Sequence, residues 1–207
     1  MNAKANPLVY VVDDEPDVCD SLKMLLGSVG LRVKAFTSGT DFLASADLAA
    51  GDCLVADVRM PGISGLELQE HLRSNGVRLP VIIITGHGDV AMAVRAMKAG
   101  AADFIEKPFN GQMFLETVHR VLRAHGPDPA APVSRAAIEA KVNLLTARER
   151  EVMILLAEGR PNKTVATRLG LSTRTVETHR SNVMQKLEAR SLADLVRIAI
   201  ACELVAI

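Results

Sequence analysis

Asp13, Asp14, Asp57, Thr85 and Lys107 lie far apart in the chain, yet side chains of these types, once gathered, could move a phosphoryl group. Three carboxylates in one place repel one another and are partly neutralised unless a cation sits among them, and hard oxygen ligands of this kind suit Mg²⁺. In that arrangement Asp57 is a nucleophile towards phosphorus. The metal and Lys107 neutralise the phosphoryl oxygens, and the Thr85 hydroxyl donates a hydrogen bond. A plainer alternative is that acids following strands cap the helices after them. It accounts for one or two of the acids but not for Lys107 and Pro108 arriving with them.

These residues can meet only if the fold delivers them to one edge. Short apolar runs rich in β-branched residues stand at 8–12, 31–36, 53–56, 81–84 and 102–105 and predict strands. Between them Val18, Leu22, Leu25 and Val29 keep helical spacing, as do Val90, Val94 and Met97, and then Phe114, Val118, Val121 and Leu122. Five strands, each followed by a helix, predict an α/β doubly wound five-stranded parallel sheet covered on both faces, with ligands at the C-terminal strand ends. Strand one ends in Asp13 and Asp14, strand three in Asp57 and strand four in Thr85, and strand five runs into Lys107.

Of the 207 residues 49% are apolar, which is enough to bury a core and excludes disorder over most of the chain. Five Phe, one Tyr and no Trp argue against an aromatic platform for single-stranded nucleic acid. Cys19, Cys53 and Cys202 are widely spaced, without a CxxC or His/Cys cluster, and read as reduced thiols of a cytoplasmic protein. The apolar run at 8–12 is too short for a signal peptide or a membrane span.

The balanced charge hides a division. Residues 1–126 hold 12 basic and 15 acidic residues, a net of −3, whereas residues 127–207 hold 12 and 9, a net of +3. Arg160, Lys163, Arg168, Arg174, Arg180 and Lys186 face only Glu177 within residues 160–186, so the two halves should have different partners. The Pro-rich HGPDPAAPV at 125–133 marks the break. Domains are expected at 1–125 and 143–207, joined by a linker at 126–142 whose Ala-rich part could form a helix.

The second domain reads as helices alone. Leu144 to Ala157 reads as a helix in which Thr146 and Glu149 have capping-box spacing. A short helix spans 162–169 and ends at Gly170, Ser172 caps a helix through Leu187, and Leu192, Leu195, Val196 and Ala199 mark a fourth. A short helix, a glycine turn and a second helix in a basic stretch predict a helix-turn-helix. On 173–187, Val176, Val183 and Leu187 should face the core, and Arg174, Glu177, Thr178, Ser181 and Gln185 should point outwards.

VVDDEPDV at 11–18, DVRMPGISG at 57–65, ITGHGD at 84–89 and KPF at 107–109 together resemble the receiver domain of two-component response regulators, a flavodoxin-like fold, over residues 7–125. The resemblance implies that Asp57 is the phospho-acceptor, that Asp13, Asp14, Asp57 and the Arg59 carbonyl hold Mg²⁺, and that Thr85 and Lys107 read the phosphoryl group. Phe104 fits the family's switch aromatic and equally an ordinary core Phe. Gly86 leaves room for a phosphoryl donor. Arg59 and His87 occupy positions that tune phosphate lifetime in the family, although a solvated surface role suits His87 better.

The stretches LTAREREV, NKTVATRLGLSTRTVETHRSNVMQKL and RSLADLV closely resemble the LuxR-type (GerE) DNA-binding domain, and the whole chain resembles the FixJ-like branch of the NarL/FixJ class. That resemblance makes 173–187 the recognition helix. Glu177, Thr178 and Ser181 then face the bases, and Thr164, Thr173, Thr175, Arg180 and Lys186 become candidates for phosphate contacts. It implies a transcription factor rather than an enzyme, whose partners are a sensor histidine kinase, double-stranded DNA and RNA polymerase. Phosphorylation would promote a homodimer through the face of helix four, strand five and helix five, with exposed parts of 90–98 in the contact. An α/β phosphatase using Asp57 on small phosphate esters is the rival from another class. It lacks an acid-base residue beside the nucleophile and leaves the basic domain unexplained. A receiver with an RNA-binding or protein-binding output is the third reading.

Overall fold

A computed structural model describes residues 6–86, 90–125 and 135–205. The chain forms two compact units, residues 1–87 with 101–130 and residues 88–100 with 131–207.

The first unit holds β1 (Leu8–Val12), α1 (Pro16–Gly27), β2 (Arg32–Phe36), α2 (Gly39–Ser45), β3 (Cys53–Asp57), α3 (Gly65–Ser74), β4 (Val81–Thr85), β5 (Asp103–Glu106) and α5 (Gly111–His125). All strands pair in parallel in the order β2-β1-β3-β4-β5. The chain reverses its direction of travel across the sheet between β1 and β3, and a crevice opens beyond the strand ends at such a point. β3 and β4 are buried along their whole length, which is why they read as unbroken apolar runs, while β2 at the edge is half exposed. Val9, Val11, Cys53, Val55, Ile82 and Ile84 pack with Leu22 and Leu26 of α1 and Phe114 and Val118 of α5. Tyr10, Phe36 and Phe42 pack edge to face among themselves.

Val29 departs from the expectation. α1 stops at Gly27, Gly30 takes a positive φ of 79° to turn the chain into β2, and Val29 lies exposed in that turn rather than on the helix.

The second unit contains α4 (Val90–Lys98), α6 (Arg135–Val142), α7 (Ala147–Ala157), α8 (Asn162–Leu169), α9 (Thr173–Leu187) and α10 (Leu192–Ala201). Ala93, Val94, Ala96 and Met97 of α4 are buried, and among its described side chains Ala91 and Arg95 are exposed. The expected helix from Leu144 begins instead at Ala147. Thr146 is its N-cap, with both bonds of the capping box present, and Leu144 lies outside the helix and is exposed. Gly170, at φ 65°, ends α8 in the left-handed conformation, and the Ser172 side chain caps α9 three residues on, so the tight turn follows from local chemistry. Of the expected linker, 126–134 lies outside the described residues. Residues 135–142 form α6, which belongs to the second unit and is tied to it by Lys141–Glu188 and Arg135–Glu203 ion pairs. The three cysteines are free thiols, and among the described residues no helix is long and apolar enough to cross a membrane.

Candidate functional site

At the C-terminal edge of the sheet, Asp13 follows β1 directly and is fully buried, and Asp57 closes β3 and is 5% exposed. Lys107, just beyond β5, places Nζ 2.7 Å from Asp13 Oδ2 and 2.9 Å from Asp57 Oδ1. One ammonium thus bridges two carboxylates delivered by different strands. Backbone amides take the remaining oxygens: Arg59 N donates to Asp57 Oδ2 at 2.6 Å and Glu15 N to Asp13 Oδ1 at 3.0 Å. Thr85 is buried at the end of β4, and its carbonyl accepts the Lys107 N–H at 2.7 Å, fixing the strand-to-loop exit from which the lysine reaches inwards.

Burial pushes the Asp57 carboxyl above its ordinary value, against the pull of the Lys107 hydrogen bond and charge and the Arg59 amide. Burial works against the Lys107 charge too, yet the hydrogen bonds to Asp13 and Asp57 outweigh it and raise its pKa. Two buried carboxylates share one lysine, so the pocket keeps a surplus negative charge.

Asp14, next to Asp13, is exposed, and among the described residues no three acidic, His or Cys side chains are gathered at metal-ligand spacing. The donor chemistry nevertheless fits a hard divalent cation. Carboxylate oxygens with spare lone pairs, an exposed third carboxylate and surplus negative charge are what such an ion requires.

Phe104 on β5 is 8% exposed, compatible with a switch aromatic turned inwards and with a core Phe alike. Among the described residues, a Cβ on Gly86 would meet nothing within 4 Å beyond its chain neighbours. His87 lies outside the described residues.

Two features of this unit were not read from the sequence. A Cβ on Gly65 would stand 2.3 Å from the Asp57 carbonyl oxygen, so only glycine lets α3 start this close to the nucleophile's backbone. The second glycine of DVRMPGISG was a visible signal, but its partner was not. Asp103 of β5, almost wholly buried, pairs with Arg120 of α5, a contact that no local pattern marks.

The outward face expected on α9 is present: Arg174, Glu177, Thr178, Ser181 and Gln185 are exposed, while Val176, Val183 and Leu187 are buried. Thr164 and Thr173 are exposed, and Thr175 and Arg180 are half-buried. Thr175 N donates to Ser172 Oγ at 3.0 Å, and the two hydroxyls are 2.7 Å apart. Thr178 Oγ1 donates to the Arg174 carbonyl at 3.1 Å, leaving its methyl group and lone pairs for an outside partner. Lys186 is half-buried, and its Nζ lies 2.7 Å from Glu149 Oε2.

Residues 9–119 match the family described as Response regulator receiver domain, and residues 143–199 match Bacterial regulatory proteins, luxR family. The chain is 46% identical over 192 residues to the transcriptional regulatory protein FixJ of Azorhizobium caulinodans, covering 93% of this chain and 91% of that one. It is also 46% identical over 192 residues to the C4-dicarboxylate transport transcriptional regulatory protein DctR of Rhodobacter capsulatus, covering 92% and 98%. Among solved structures, full-length FixJ from B. japonicum is similar at 39% identity and a TM-score of 0.56, covering 98% of this chain and all of that one. The response regulator StyR is similar at 43% identity and the same TM-score, covering 95% and 99%.

Proposed function

Because the chain belongs to the response regulators that join a receiver to a LuxR-type DNA-binding domain, and is a transcriptional regulator of the FixJ kind, we propose that Asp57 accepts a phosphoryl group from a sensor histidine kinase and so controls DNA binding. The observation that carries the assignment is the Lys107 ammonium held between Asp13 and Asp57 at the C-terminal edge of the sheet. Asp57 is the buried carboxylate whose pKa is raised, in a pocket of surplus negative charge.

On this reading each residue of the pocket has its own role. An Asp57 oxygen bonds to phosphorus as the P–N bond to the kinase's histidine breaks, and the imidazole leaves with the electron pair and takes up a proton. Lys107 keeps Asp13 as one partner and turns its remaining capacity to the phosphoryl oxygens, and Thr85 donates its hydroxyl to them. Asp13, Asp14, Asp57 and the Arg59 carbonyl hold Mg²⁺, which when bound supplies neutralising charge for the phosphoryl oxygens. Movement of Thr85 towards the phosphoryl group gives Phe104 room to follow, biasing a two-state receiver towards a form that dimerises, with Ala91 and Arg95 in the contacting surface.

On this reading 1–125 is the receiver, 126–142 the connection and 143–207 the output domain. Two output domains brought together read half-sites about 10 bp apart. Glu177, Thr178 and Ser181 meet base edges, and Thr164, Thr173, Arg174, Thr175 and Arg180 meet the phosphate backbone. The assembly acts in the cytoplasm on RNA polymerase, and the chain modifies itself once rather than turning over phosphate esters.

With Mg²⁺ and a small phosphodonor, mass spectrometry of the intact chain should show the gain of one phosphoryl group, and Asp57→Asn should gain none. Undiminished labelling of the Asn variant would move the acceptor elsewhere and overturn the assignment.

A further inference from the structure

Glu149 is 4% exposed at the third position of α7, and its carboxylate accepts from Thr146 N at 2.8 Å and from Lys186 Nζ at 2.7 Å. Lys186 also donates to the Leu144 carbonyl at 3.3 Å. The Lys141–Glu188, Arg135–Glu203 and Arg148–Glu151 pairs of the same unit have both partners well exposed, where water replaces either one at little cost. A carboxylate buried as deeply as Glu149 has no such recourse, so losing its ammonium would strand a charge.

The pair spans the unit. Lys186 lies in the last turn of α9 and Glu149 in the first turn of α7, so the bond ties the far end of the recognition helix to the start of another helix. Val176, Val183 and Leu187 hold α9 against the core by non-directional contact, which tolerates small rotations. A hydrogen-bonded ion pair does not, and the rotation of α9 decides where Arg174, Glu177, Thr178 and Ser181 point. A phosphate on the remaining Lys186 N–H would bring a second anion to within about 5 Å of the carboxylate.

We propose that Glu149 and Lys186 are positioning residues of DNA recognition: the ion pair between them sets the rotation of α9, and Lys186 acts through Glu149 rather than on a DNA phosphate. The proposal rests on α9 being the helix that reads DNA.

The test uses the full chain, a duplex selected by the unaltered protein from a random pool, and a mixed-sequence duplex of the same length. Lys186→Met and Glu149→Gln should each weaken the selected duplex by roughly tenfold, because small displacements of a recognition surface are costly. The slope of log affinity against log salt should stay as it is, and Lys186→Arg should restore most of the affinity. Long-range charge alone predicts the opposite sign for Glu149→Gln, since removing a negative charge favours a polyanion. The proposal falls if Lys186→Met flattens the salt slope by about one unit while Glu149→Gln binds as tightly as the unaltered chain. If a variant does not fold, acetylation of the unaltered chain decides. Equal, slow modification of Lys186 with and without duplex supports the positioning role, and protection by duplex alone overturns it. A chain that selects no duplex at all would remove the DNA-reading role of α9, and the proposal with it.

Discussion

Asp57 in the receiver pocket and Glu149 in the helical unit are both buried carboxylates in contact with a lysine, at 2.9 and 2.7 Å. Burial nevertheless lifts Asp57 above its ordinary value, while the Lys186 hydrogen bond and the Thr146 amide take Glu149 down to about 2. The first cause is desolvation, which dominates at Asp57 and ranks below the Lys186 and Thr146 hydrogen bonds at Glu149, and the number of acids each lysine serves adds to it. Lys107 is divided between Asp13 and Asp57, so one negative charge stays uncompensated. Lys186 serves Glu149 alone, and the helix cap adds a further donor. A surplus of buried charge suits a pocket that must attract a cation and react, and a closed balance suits a joint.

The largest effect expected from breaking this contrast is that of Lys107→Met. It strands two buried carboxylates at once and should cost the receiver about 3–5 kcal/mol at pH 7. Denaturant titration followed by hydrogen exchange, which reads the two units separately, checks it. A loss under about 1 kcal/mol would mean that the pocket does not depend on the lysine for its balance.

Acid should separate the two sites. Because the Glu149 carboxyl lies at about 2 when folded and at 4.5 otherwise, the unfolded chain binds the extra proton as pH falls between these values. Its contribution, at most about 3 kcal/mol, is therefore full above pH 5 and is lost towards pH 2. Asp57 has the opposite sign: with its pKa raised, the folded form holds the proton to higher pH, and its effect on stability becomes less favourable as pH rises through that window. Hydrogen exchange between pH 6 and pH 3 should show the helical unit losing protection through Glu149, and Glu149→Gln should flatten that loss. An unchanged acid profile in the variant would place the sensitivity elsewhere.

The smallest effect concerns sterics beside the nucleophile. Gly65→Ala forces a methyl group against the Asp57 carbonyl and should cost about 1–3 kcal/mol and slow labelling of Asp57, whereas Gly86→Ala meets open space and should leave the fold intact. Equal stability of the two variants in thermal melts would show that the end of β3 can yield.

The legible parts of the molecule were those with a local cause. The apolar runs of β1, β3 and β4, the Thr146 and Ser172 caps and the Gly170 turn each depend on residues within a few positions, and the structure has them where the spacing put them. Val29 and Leu144 misled for the same reason: apolar spacing extends a helix on paper, while a positive-φ glycine or an N-cap threonine ends it in the fold. The partner of Lys186 was not legible for another reason, because Glu149 lies 37 positions away in the chain.

The five strands, the acids at their ends and the basic helix-turn-helix were determined by sequence alone, because period, turn chemistry and motif spacing are properties of neighbouring residues, whereas the order of the strands in the sheet was not. Which charge meets which was decided by tertiary structure. Lys107 reaches Asp13 across 94 positions, Asp103 finds Arg120 between a strand and a helix, and Gly65 is needed only because Asp57 comes up against it. Such pairings depend on burial and on distances of a few ångströms, and those come into being only when the sheet and the helices have packed.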